Sequence, residues 1–110
     1  MTDPFAGGEI MLFMAVCEDG HDKQALRKLH LQPHLDYVEL IDNKIAVAGP
    51  LKDDVSGNYC VSVFVYQTET RDEAWMLLKK DPYYRAGIYE RVQLQEFCPM
   101  IGSWVGARKW

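Results

Sequence analysis

Two segments of this 110-residue chain are apolar at both odd and even positions, and no other feature constrains the fold as tightly. Residues 10–17 run Ile10-Met11-Leu12-Phe13-Met14-Ala15-Val16-Cys17, and residues 59–66 run Tyr59-Cys60-Val61-Ser62-Val63-Phe64-Val65-Tyr66. The second is rich in β-branched and aromatic residues, as strands are. Side chains alternate faces along a strand, so a strand apolar at both parities must be covered on both faces. A chain of this length builds one domain. Its two helical segments can cover only one face of a sheet. A second copy of the chain is the simplest cover for the other face, so a homodimer is expected. The apolar fraction of 48%, high for so short a chain, fits that expectation.

Between and after these strands the pattern changes period. Leu26, Leu29, Pro33, Tyr37, Leu40 and Ile41 recur every three or four residues, which predicts a helix that kinks or restarts at Pro33. Residues 45–51 form a short strand ending in the Gly49-Pro50 bend, and residues 52–58 form a polar loop. Thr70-Arg71-Asp72-Glu73 fits a capping box, opening a helix that carries Ala74, Trp75, Leu77 and Leu78 inward and stops before Asp81-Pro82. Residues 91–97 alternate as a last strand. The order strand, helix, strand, strand, helix, strand predicts an α+β fold, ferredoxin-like βαββαβ, with an antiparallel four-stranded sheet and both helices on one face. Residues 1–9 read as a flexible lead-in, 10–98 as the domain, and 99–110 as an extension of unassigned form holding Trp104 and Trp110.

Composition excludes several functions. A net charge of −4 and a pI near 5.3 leave no basic footprint for nucleic acid. No apolar run approaches the roughly 18 residues of a membrane span, and the start has no basic region of a secretory signal. Three widely spaced cysteines, Cys17, Cys60 and Cys98, are expected to be reduced and packed as small hydrophobes, which points to the cytoplasm. Neither GxGxxG nor GxxxxGK[ST] occurs, so no nucleotide cofactor is expected, and no serine lies in a GxSxG context.

The residues suited to chemistry are few. His34 follows Pro33, one position off the apolar stripe, and imidazole suits proton transfer near neutral pH. A partly exposed helical histidine is the plainer reading. His30 and His34 are four apart, but Pro33 between them spoils the spacing for a metal pair, and no metal is expected. Asp81 closes a helix at the negative end of its dipole, where a carboxylate is either merely exposed or placed for a partner. An Asp–His pair would fix the ring tautomer and free the other nitrogen to move a proton. Gly49-Pro50 lets backbone approach a ligand, or simply ends a strand. Arg71, Arg85 and Arg91 could hold an anion, though each also reads as a solvated surface residue. Tyr83 could line a pocket for a flat ligand or pack in the core.

Taken together, these motifs resemble the YCII-related (YciI-like) family. The resemblance rests on His34-Leu35 after Pro33, on Ala48-Gly49-Pro50-Leu51, and on Asp81-Pro82-Tyr83 leading to Ala86-Gly87-Ile88-Tyr89. Met11-Leu12-Phe13 and residues 92–97 match the family's ends, so the likeness spans residues 10–98. It implies a dimeric α/β-barrel with a His34–Asp81 dyad and no cofactor. Activity on relatives includes removal of chloride from a chlorinated hydroxyhydroquinone; muconolactone isomerases and cofactor-free monooxygenases share the barrel. The implied function is proton transfer by His34 on a small phenolic or chloroaromatic substrate, lyase- or isomerase-like, in a pocket bounded by Gly49, Pro50 and Tyr83. The alternative is a non-catalytic small-molecule binding or regulatory dimer.

The dimer expectation is checked by light scattering at micromolar concentration. A mass near twice 12.7 kDa is expected, and a mass near 12.7 kDa would exclude it.

Overall fold

The structure is a computed structural model that describes residues 9–106. Along the chain, β1 (Met11–Asp19) leads to α1 (Gln24–Leu29) and α2 (Leu31–Leu40). A 3-10 turn (Asp42–Lys44) then precedes β2 (Ile45–Lys52) and β3 (Tyr59–Thr68). Next come α3 (Arg71–Lys79), α4 (Pro82–Arg85) and β4 (Tyr89–Phe97). The four strands form one sheet in the order β2-β3-β1-β4, and all three pairings are antiparallel. The two central strands, β1 and β3, are the two that are apolar at both parities. The α+β, ferredoxin-like arrangement expected from the sequence is the one observed.

The register assigns each face. Ala15 lies opposite Phe64 and Leu94, and Phe13 lies opposite Tyr66. Phe13, Ala15, Cys17, Phe64 and Tyr66 therefore share one face, where Ala74 and Leu78 of α3 complete a buried core. Thr70 caps α3 as its motif predicts, its side chain accepting from the Glu73 backbone N–H. Tyr37 of α2 donates its hydroxyl to the Leu77 carbonyl of α3 at 2.6 Å, tying the helical layer together.

Leu12, Met14, Val16 and Val63 alternate onto the other face of the sheet, which carries no helix. Residues 97–105 run beside it and form an apolar groove with Leu12, Met14, Val47 and Val65. Trp104 stands 87% exposed. Trp110 and most of the expected lead-in lie outside the described residues. Among those described, no helix is long and apolar enough to cross a membrane.

Two expectations for the first helix are corrected. The helix does break, but at His30 rather than at Pro33. Pro33 sits in the first turn of α2, where backbone N–H groups have no intrahelical partner and a missing one is harmless. The apolar period also has a different phase. Leu29 is 70% exposed and Leu40 78%, while Leu26, His34, Tyr37, Val38 and Ile41 are partly buried. His34 therefore lies on the inward stripe and not beside it. The periodicity was sound, but leucines on a short helix do not dictate which side faces the sheet.

Burial raises the Cys17 thiol from 9.0 to about 12, with help from the charges of Asp81 and Asp19 and against the opposing pull of Arg27. The Tyr66 and Tyr89 phenols are raised as well, again mainly by burial. These groups bind protons more tightly in the folded chain, so their contribution to stability is complete below the unfolded-state pKa values. It is lost as pH climbs from about 9 upward. Urea midpoints are expected to fall steadily between pH 8.5 and 11, and Cys17 should resist thiol reagents at pH 8 until the protein unfolds. Thr70→Ala is expected to cost about 1 kcal/mol in the same unfolding assay.

Candidate active site

Asp81 follows the last turn of α3 and opens α4 at once. Pro82 occupies the first position of α4, where a missing N–H does no harm. The Asp81 side chain accepts the Tyr83 backbone N–H at 2.9 Å, capping the new turn. From its place after α3, Asp81 is expected at the negative end of a helix. As the N-cap of α4 it instead faces the positive end of the next one, where a carboxylate is favoured.

The same carboxylate meets His34. Nδ1 of His34 and Oδ1 of Asp81 are 2.7 Å apart, with Asp81 fully buried and 13% of the His34 side chain open. An ionised carboxylate only accepts, so Nδ1 donates in this bond, and in the neutral ring that leaves the lone pair on Nε2. The other carboxylate oxygen, Oδ2, has no hydrogen-bond partner among the described residues. Its charge acts on the groups around it, helping to raise the titration of Tyr37, Tyr66, Tyr83, Tyr89 and Cys17. In each of these, burial is the larger cause. The carboxylate thus sits among phenols and a thiol that stay protonated at neutral pH.

Tyr83 fixes the imidazole from the side. Its ring stacks on His34 with centroids 3.9 Å apart and planes 2° from parallel. Phe64 meets the imidazole edge-on at 6.1 Å. The Tyr83 hydroxyl donates to the Arg27 carbonyl at 3.1 Å. Held by a hydrogen bond and a stack, the imidazole has little freedom to turn.

Beside the dyad lies a cavity of about 400 Å³ between β2, β3 and the first helices. His34, Tyr83, Gly49 and Pro50 all line it, together with Arg27 and Ser62. The structure thus brings four of the five sequence candidates to one cavity, with Asp81 directly behind it. Gly49 contributes backbone: it pairs with Val63, so a side chain at this position would project from the opposite sheet face. Added carbon there would meet nothing within 4 Å. Ala48 and Pro50 alternate toward the cavity.

Sequence reasoning missed Arg27. It considered Arg71, Arg85 and Arg91, none of which lines the cavity. Arg27 is only 8% exposed. Its Nε and Nη2 donate to both Asp19 oxygens at 2.6 and 2.9 Å, and Nη2 also donates to Ser62 Oγ at 2.9 Å. Its partners lie on two different strands, β1 and β3, so no local pattern marks it. His30 is not drawn into a metal site: among the described residues no three His, Cys, Asp or Glu side chains are grouped to hold an ion.

Comparison with known proteins places the chain in a family. The family model of the YCII-related domain matches residues 11–98, and the chain belongs to that family. Its fold resembles TftG from Burkholderia phenoliruptrix AC1100, a 5-chloro-2-hydroxyhydroquinone dehydrochlorinase solved in complex with 2,5-dihydroxybenzoquinone. That match has a TM-score of 0.74 and 25% identity, covering 80% of this chain and 94% of the other. A protein from Bacteriodes thetaiotaomicron VPI-5482 assigned as an antibiotic biosynthesis monooxygenase shares the fold at a TM-score of 0.54 and 10% identity. It covers 86% of this chain and 93% of its own. No curated protein sequence matches the chain.

Tyr83→Phe preserves the stack on His34 and removes only the hydroxyl bond to the Arg27 carbonyl. A loss of about 1 kcal/mol of unfolding free energy is expected.

Proposed function

We propose that this protein is a small enzyme that moves protons on a phenolic or chloroaromatic substrate, with His34 as base and Asp81 as its orienting partner. The observation that carries this reading is the 2.7 Å His34–Asp81 bond at the wall of an open cavity. A purely structural pair would be sealed on all sides, whereas part of this imidazole remains accessible. The match to a dehydrochlorinase of the same family supports the reading.

The chemistry follows from the geometry. With Nδ1–H held by Asp81, Nε2 is the free base that takes a proton from a substrate O–H, and the carboxylate stabilises the resulting imidazolium. For a chlorinated hydroquinone, the displaced charge moves into the ring, and His34 returns its proton to the carbon bearing chlorine. A second O–H proton then leaves to His34 while chloride departs with the C–Cl electron pair. The ring becomes a quinone, and the net products are that quinone and HCl. The chain's residues alone supply each proton transfer, so the proposed reaction requires no cofactor. An isomerase would use the same first steps without the leaving group.

The proposed functional unit is a homodimer in which the helix-free face, with Leu12, Met14, Val16 and Val63, packs against a second copy. The site itself is described within one chain.

With 5-chloro-2-hydroxyhydroquinone as first substrate, chloride release is the assay. His34→Gln is expected to lower kcat by about 10²-fold or more, in line with the usual contribution of a general base. Asp81→Asn keeps the cap on α4 but can present the wrong group to Nδ1, so kcat should fall while the fold survives. Equal chloride release by wild type and His34→Gln would remove the dyad from the reaction and leave a binding module.

A further inference from the structure

Asp81 is fully buried, and both hydrogen bonds it receives end on the same oxygen. Nδ1 of His34 and the Tyr83 backbone N–H each reach Oδ1, at 2.7 and 2.9 Å. Oδ2 has no hydrogen-bond partner among the described residues, and neither do the buried hydroxyls of Tyr66 and Tyr89. Four tyrosines feel the charge of this carboxylate. Two of them commit their hydroxyls elsewhere, Tyr37 to the Leu77 carbonyl and Tyr83 to the Arg27 carbonyl. The other two, Tyr66 and Tyr89, are the two without partners.

The sheet brings these groups to one place. β1 lies between β3 and β4, and Cys17 of β1 belongs with Tyr66 to the core on which Tyr89 packs. The Tyr66 ring stacks on Phe64 with centroids 5.6 Å apart, and Phe64 meets the His34 imidazole edge-on. Tyr66 is thus one ring removed from the dyad, within electrostatic reach of Asp81, Cys17 and Tyr89. An unpaired polar atom in a dry interior is unfavourable. Three of them in one neighbourhood are the setting of an internal water, which typically makes about three hydrogen bonds.

We propose that one internal water is bound behind the dyad, joining Oδ2 of Asp81 to the hydroxyls of Tyr66 and Tyr89, and that Tyr66 is thereby a positioning residue for His34 and Asp81. The water donates one hydrogen to Oδ2 and the other to the Tyr89 hydroxyl, and its oxygen accepts from the Tyr66 hydroxyl. The carboxylate is then anchored through both oxygens and cannot turn to offer Oδ2 to the imidazole. Held this way, it keeps Nδ1–H in place and Nε2 aimed at the cavity. The consequence for turnover rests on the reading of His34 as a base; the water site does not.

Tyr66→Phe keeps the ring on Phe64 and removes only the hydroxyl. A bridged hydroxyl and an orphaned one give opposite signs in thermal unfolding. Loss of a bridging donor leaves Oδ2 less well satisfied, so Tm is expected to fall by at least about 3 °C. Removal of an orphaned buried hydroxyl leaves Tm unchanged or raises it, and that result overturns the proposal. Proton NMR separates positioning from packing. A carboxylate short of a donor accepts more strongly from Nδ1–H, so the low-field proton of His34 is expected to move further downfield in the variant. A lower Tm with that resonance unmoved overturns the proposal, because the hydroxyl would then contribute packing alone. A crystal structure of the wild type needs no variant. Density for a water within hydrogen-bond distance of Oδ2 and the Tyr66 hydroxyl is expected, and clear density for both atoms with no shared water overturns the proposal. None of these readouts uses turnover. Unchanged chloride release by His34→Gln therefore rejects the base and keeps the water site, whereas a raised Tm for Tyr66→Phe rejects the water site and keeps the base.

Discussion

The bond between His34 and Asp81 joins α2 to the junction of α3 and α4. Asp81 ends one helix and starts another, and His34 lies 47 residues earlier on α2. Breaking this contact leaves a fully buried carboxylate with one backbone N–H for company, an expensive arrangement in a low-dielectric interior. The helical layer is accordingly built to keep it. Tyr37 ties α2 to α3, and Tyr83 packs flat on the imidazole while its own hydroxyl reaches back to α1. The site is thereby preorganised by packing that also stabilises the domain.

A second ion pair stands near the first, and the two differ in character. Arg27 and Asp19 make a bidentate pair with a third bond to Ser62, so their charges are largely compensated. Asp81 has one hydrogen bond from an imidazole that is neutral when acting as a base, and its second oxygen has no partner among the described residues. The less compensated carboxylate is the one behind the imidazole, where, in the proposed reaction, it would stabilise the charge that appears on proton abstraction. The surrounding phenols and the Cys17 thiol hold their protons and do not compete for that role.

Much of this was legible from residues alone, but unevenly. The capping box at Thr70–Glu73, the paired apolar strands and the Gly49-Pro50 strand end follow local rules, and local rules read well from sequence. The first helix reads less well. Its apolar stripe marked the inward face only in part, since Leu26, Tyr37 and Ile41 are partly buried but Leu29 and Leu40 point outward, while His34 and Val38 point in. Which residues of a short helix are buried is decided by where the chain before it leaves the sheet. Arg27 was invisible for a related reason. A buried arginine is rare unless paired, and its partners Asp19 and Ser62 lie on two different strands.

The sequence by itself determined the order of elements, the antiparallel sheet, and the need to cover two apolar faces. It also supplied His34, Asp81, Gly49, Pro50 and Tyr83 as candidates. Those properties follow from periodicity, turn chemistry and residue type, which act over a few neighbouring positions. Only the tertiary structure decided that Asp81 caps a new helix, that His34 reaches it at 2.7 Å, and that Arg27 joins Tyr83 and Ser62 on the same cavity wall. These are distances between residues far apart in the chain. They exist only once the sheet register and helix packing have brought α1, α2 and the α3–α4 junction together.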